Sequence, residues 1–215
     1  MTDVRAKICG LSTSDAVQAA VDGGASHIGF VFFAKSPRNI DPDFAAPLAA
    51  PARARGVKIV AVTVDATDTE LERINLALSP DLIQLHGHET PARAAEIKQR
   101  SGAGVIRAFR VETAADLDTA RPFEGVVDYL MFDAKAPAGA VLPGGNGAVF
   151  DWTILADSKF ETPWFLAGGL DVGNVSEAVK ASGAAMVDVS SGVEIAPGVK
   201  EPGLITAFLD AVRRA

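Results

Sequence analysis

Two side chains able to move protons close apolar runs in this sequence. Cys9, the single cysteine of the chain, ends the run Lys7-Ile8-Cys9 and is followed by Gly10, and Asp133 follows Tyr129-Leu130-Met131-Phe132. A thiol serves as a base only in its thiolate form. Cys9 would therefore need its pKa lowered from about 8.5 by positive charge or by helix N-termini. Lys7, two residues away, falls on the same face of a strand. A carboxyl set against apolar side chains is pushed toward its protonated form, which suits a general acid. Plainer readings stand beside these. An isolated cysteine is commonly a small buried residue, and a strand-end aspartate is commonly half of an ion pair, here with Lys135 or an arginine.

Gly168-Gly169 and Ser190-Ser191-Gly192 are turns whose backbone N–H groups can cradle a phosphate, although each taken singly reads equally as a tight turn. His86-Gly87-His88 has two imidazoles and no identifiable third ligand, so it reads as polar lining and no metal is expected. Gly144-Gly145-Asn146-Gly147 lacks the Lys-Ser/Thr of a nucleotide loop, which disfavours ATP. No cofactor is expected. The biased stretch 134–148 reads as a loop able to close over a ligand.

The elements that must hold these groups are eight short aliphatic or β-branched runs, at 4–8, 27–32, 58–62, 82–85, 105–109, 129–132, 164–167 and 186–189. Helical segments alternate with them, with start signals at Ser14, Asp68, Thr90-Pro91 and Asn174 and a last helix over 204–214. Glycines at 23–24, 56, 102 and 183 stand before strands as helix C-caps. Alternation fits a doubly wound sheet or a closed barrel; the count of eight favours an α/β protein built as one (β/α)8 TIM barrel spanning residues 1–215. In such a barrel the reacting groups share the rim at the carboxyl ends of the strands. That rim would gather Cys9, Arg38, Asp65, His86, residues 107–110, Asp133 and the two glycine turns.

The formal charge of −7, without a basic run carrying aromatics, disfavours nucleic acid as a partner. The residues are 48% hydrophobic and 22% charged, which excludes a disordered chain. A single cysteine fits a reducing compartment. No signal-peptide core and no run of roughly 20 apolar residues is found, so a cytoplasmic protein without membrane contact is expected. Its partner would be a phosphorylated small molecule.

Taken in order, the strings KICGLS, GFVFFAKSPRNI, LIQLHG, FDAK, GGNGAVFDW, LAGGLDVGNV, VDVSSGVE and PGVKEPGLI resemble the phosphoribosylanthranilate isomerases, β/α-barrel enzymes of tryptophan biosynthesis. The resemblance spans nearly the whole chain. It implies an Amadori rearrangement of N-(5′-phosphoribosyl)anthranilate without metal or organic cofactor; a monomer or weak homodimer is expected. It also implies residue roles: Asp133 as general acid, Cys9 as general base, Arg38 on the anthranilate carboxylate, and Gly168, Gly169, Ser191 and Gly192 on the phosphate. Ala34 departs from the proline common in this loop, which bears on loop stiffness. The histidine-pathway isomerase and the indole-forming synthase are related phosphosugar barrels, but the first works with two aspartates and the second needs a lysine acid. A non-catalytic phosphate-binding barrel would have no use for Cys9 and Asp133 together.

Overall fold

The computed structural model describes residues 4–134 and 150–215. Eight parallel strands close into a barrel: β1 (Arg5–Cys9), β2 (His27–Phe32), β3 (Lys58–Thr63), β4 (Leu82–Leu85), β5 (Gly104–Val111), β6 (Tyr129–Ala134), β7 (Trp164–Leu166) and β8 (Met186–Val189). Closure is made by β8 on β1, with Arg5 opposite Met186 and Ile8 opposite Val189. The expected barrel is therefore observed, and the doubly wound sheet is not. Of the loop expected over 134–148, Ala134 belongs to β6; the remainder, with the glycine run 144–147, lies outside the described residues.

Strand periodicity decides which side chains reach the interior. Successive residues point to opposite faces. Ala6, Ile8, Leu130, Phe132, Val187 and Val189 therefore pack outward in the layer between strands and helices. Cys9, Met131 and Met186 pack in a second cluster with Val62, Ile106 and Phe165. Lys7, Asp133 and Asp188 share the parity of that second cluster. The apolar run before Asp133 is thus split between two layers, and only part of it can wall the carboxyl.

Outside the barrel lie α1 (Ser14–Asp22), α2 (Pro42–Leu48), α3 (Ala50–Ala54), α4 (Asp68–Leu78), α5 (Pro91–Ser101), α6 (Val175–Ser182) and α7 (Pro202–Arg213). Thr13 and Thr67 cap α1 and α4, one residue earlier than the expected Ser14 and Asp68; Thr67 forms a reciprocal capping box with Glu70. Thr90 with Pro91 starts α5, and Gly102 and Gly183 end α5 and α6 in the left-handed region, as expected. Strict alternation of strand and α-helix fails after β5, where Ala114–Phe123 is a 3-10 helix. Its buried residues are Leu117, Ala120 and Phe123, spaced by three, which is the period of that helix. After β8 the chain forms a small antiparallel hairpin, β9 (Glu194–Ala196) and β10 (Val199–Lys200).

Candidate active site

The carboxyl ends of the strands surround a cleft whose lining includes Cys9, Arg38, Asp133, Gly168, Gly169 and Ser191. Six of the seven residues expected to act here therefore share one wall. Gly192 is not part of that lining. A Cβ on it would stand 2.0 Å from the Leu170 carbonyl oxygen, so its glycine lets the turns after β7 and β8 pack against each other.

Cys9 is 6% exposed, at the inward-facing end of β1. Gly29 of β2 stands beside it in register. A Cβ on Gly29 would meet the Cys9 Sγ at 3.2 Å and the Lys7 Nζ at 3.3 Å, so the bare glycine makes room for both groups. Lys7 is wholly buried and its Nζ donates to Asp188 Oδ1 at 2.8 Å. Burial opposes the lysine's charge, but attraction to Asp188 and to Cys9 outweighs it and raises the Lys7 pKa above its ordinary value. For the thiol the balance runs the other way. Burial pushes Cys9 up, Asp188 adds to this, and the opposing pull of Lys7 and Lys200 does not overcome them. Lys7 helps as expected, yet the thiol is not lowered; it rests above the ordinary cysteine range.

Asp133, 5% exposed, is the penultimate residue of β6. His86 Nε2 lies 3.3 Å from its Oδ2. That nitrogen makes no hydrogen bond among the described residues, and neither does Gln84 Oε1. Gln84 and His86 both line the cleft. Buried polar atoms without partners are costly in a folded protein, and in a cleft they are what a ligand's hydroxyl groups would satisfy.

The turn after β7 places Gly168 at φ +90° and Gly169 at φ +62°, both left-handed. A Cβ on Gly168 would fall 2.3 Å from the Ala134 backbone nitrogen. Asn174 begins α6 where expected, but its side chain does not cap the helix. Its Nδ2 donates to the Gly169 carbonyl at 2.9 Å, and its Oδ1 accepts from the Asp171 N–H at 2.9 Å, so it braces the turn. Ser191 begins a short 3-10 turn, Ser191–Val193, on the opposite side. Two glycine-bearing turns in contact make a concave, N–H-rich end to the cleft, suited to an anion.

Several rim residues are not brought in. Asp65 accepts from the His88 backbone N–H at 2.6 Å, and its carboxylate pairs with the exposed His88 ring at 2.9 Å. Arg107 faces outward from β5 and donates to the carbonyls of Leu85 and Gly87 at 3.1 Å. His86 and His88 accordingly serve different neighbours. Among the described residues no group of three His, Cys, Asp or Glu could hold a metal ion. Conversely, Asp188 and Lys200 are buried at or beside the site, the Glu194 side chain is 4% exposed, and sequence reasoning missed all three. For Asp188 a signal existed, since it shares strand parity with Met186.

The family whose model is described as "N-(5'phosphoribosyl)anthranilate (PRA) isomerase" matches residues 6–211. An N-(5'-phosphoribosyl)anthranilate isomerase from Caulobacter sp. (strain K31) is 63% identical over 98% of this chain and 99% of its own length. One from Caulobacter vibrioides is 60% identical over 98% of this chain and 96% of its own. The crystal structure of phosphoribosyl anthranilate isomerase from Thermotoga maritima superposes with a TM-score of 0.87 at 30% identity, over 99% of this chain and all of the other. A phosphoribosyl anthranilate isomerase in complex with reduced 1-(o-carboxyphenylamino)-1-deoxyribulose 5-phosphate superposes with a TM-score of 0.84 at 29% identity, over 99% and 100% of the two chains.

Proposed function

This chain belongs to the N-(5'-phosphoribosyl)anthranilate isomerase family, and from that premise we propose that Cys9 and Asp133 divide its reaction between them. The reaction is the rearrangement of N-(5'-phosphoribosyl)anthranilate to 1-(2-carboxyphenylamino)-1-deoxyribulose 5-phosphate in tryptophan biosynthesis. The observation that carries the assignment is the presence of one buried thiol and one buried carboxyl in the lining of a single cleft, with the glycine turns at its end.

Asp133 gives its proton to the furanose ring oxygen as the bond from that oxygen to C1 breaks. The nitrogen lone pair then forms a C1–N iminium. That cation acidifies the proton on C2 and, lying beside Cys9, stabilises the thiolate, so that the thiol gives up to solvent in the open cleft the proton that burial otherwise favours. The thiolate removes the C2 proton, and the electron pair left behind forms a C1–C2 double bond and neutralises the nitrogen. The resulting enol becomes the ketone by gaining a proton at C1 and losing one from the C2 hydroxyl. Arg38 holds the aryl carboxylate. Gly168, Gly169 and Ser191 hold the phosphate, with Gly192 keeping the two turns together. Fixing both ends of the substrate orients the reacting carbons between acid and base. The unpartnered atoms of Gln84 and His86 suit the sugar hydroxyls.

Phosphoribosylanthranilate is fluorescent and loses that signal on conversion, which gives a direct assay. Cys9→Ala and Asp133→Ala should each lower kcat by at least ~100-fold with the fold retained, the low end for removing a general acid or base. Near-normal turnover in either variant refutes that residue's role. We further propose a monomer or weak homodimer in the cytoplasm. Among the described residues no helix is long and apolar enough to cross a membrane. Sedimentation at rising concentration decides the assembly, and a stable higher oligomer would contradict it.

A further inference from the structure

The arginine assigned to the substrate's carboxylate already grips a carboxylate of the protein. Arg38 Nε donates to Glu194 Oε1 at 2.7 Å and its Nη2 donates to Oε2 at 2.8 Å, a two-point fork. Lys200 Nζ donates to the same Oε1 at 2.6 Å. The three side chains are 7%, 4% and 1% exposed, in the order Arg38, Glu194, Lys200. The Gly198 N–H, in the turn between β9 and β10, adds a donor to Oε2 at 3.2 Å. That turn presses on the loop that carries Arg38, because a Cβ on Gly198 would stand 2.4 Å from the Pro37 carbonyl oxygen. On its other side Lys200 donates to the Ser190 carbonyl at 2.8 Å, and Ser190 Oγ donates to the Cys9 carbonyl at 3.2 Å. The hairpin after β8 thus ties the Arg38 loop to the strand end that bears the thiol.

We propose that Glu194 is a positioning residue that sets the plane and direction of the Arg38 guanidinium, and thereby the enzyme's preference for a substrate carrying an aryl carboxylate. A guanidinium recognises a carboxylate by direction as well as by charge, and a long side chain left to itself samples many rotamers. Glu194 takes the edge formed by Nε and Nη2, and that two-point fork sets the plane of the guanidinium and the direction in which its other edge faces. This inference rests on the reading that Arg38 holds the aryl carboxylate.

The test compares kcat/KM for N-(5'-phosphoribosyl)anthranilate with kcat/KM for the N-phosphoribosyl derivative of aniline, which lacks the carboxylate. The ratio is internal to each preparation, so a loss of folded enzyme cancels from it. Glu194→Gln should lower that ratio by at least about 10-fold, mainly through KM for the carboxylated substrate. Arg38→Ala should lower it too, and the double variant should lie no more than about twofold below Arg38→Ala, because the two residues act as one unit. If Glu194→Gln yields no folded protein, Glu194→Asp replaces it in the same comparison; the shortened side chain cannot span both guanidinium nitrogens, so the ratio should fall again. A ratio in the Glu194 variant within about twofold of the parent, while Arg38→Ala lowers it, overturns the role of Glu194 alone. A ratio unchanged by Arg38→Ala instead overturns the assignment of the aryl carboxylate to Arg38, and the inference with it.

Discussion

At the scale of single residues, the thiol is the group whose environment departs most from what its role suggests at first sight. Burial and Asp188 raise the Cys9 pKa and only Lys7 and Lys200 oppose them, a balance that favours the thiol over the thiolate in the free enzyme. A base with a raised pKa is a stronger proton acceptor once formed, and the substrate's own cation can supply the missing stabilisation. For the free enzyme, kcat/KM should therefore keep rising with pH beyond the ordinary thiol range. A profile that is already flat by about pH 7 would show that the thiolate preexists and that burial is outweighed. Asp133 was legible because it closes an apolar run, yet half of that run faces the helices. Its actual neighbour, His86, was read only as lining.

At the scale of elements, the caps hold the helices while the glycine turns shape the cleft, and the two duties separate cleanly. Thr67 closes its capping box with Glu70 at the start of α4, on an exposed helix end. Thr67→Ala should cost about 1 kcal/mol of stability and leave kcat/KM unchanged, as read by urea unfolding and the fluorescence assay. A loss of activity without a loss of stability would place α4 in the site's support. Asn174 shows the opposite case: a residue chosen by sequence as a helix start directs its amide to the Gly169 turn. Propensity marks where an element begins, whereas the partner of a capping side chain depends on which loop folds back over it. The 3-10 helix at Ala114–Phe123 was missed for a related reason, since its three-residue burial period was not sought.

At the scale of the whole molecule, a second buried titratable group, at the start of β2, couples folding to pH. His27 is 3% exposed on β2, with its ring edge-on to Phe165 at 5.2 Å. Burial, with the nearby charges of Lys7 and Arg5, lowers its pKa from 6.5 to about 4. Between those values the unfolded chain binds a proton that the folded chain refuses, so acidification favours unfolding. This contribution is fully present above pH 6.5, is lost as pH falls toward 4, and amounts to roughly 3 kcal/mol. His27→Gln should flatten that limb. A urea midpoint that falls as steeply between pH 6.5 and 4 in the variant would assign the loss to other groups.

The sequence by itself determined the eight strands, the turns that need glycine, and the presence of a thiol and a carboxyl at strand ends. Those properties are local, because a period of two and a left-handed φ are set by neighbouring residues. Tertiary structure alone decided that Asp188 would neutralise Lys7 from 181 positions away and that Glu194 would hold Arg38 across 156. It also turned Arg107 and Asp65 away from the cleft they were expected to line. Closing a barrel joins its first strand to its last, and charged partners brought together in that way leave no periodic mark along the chain.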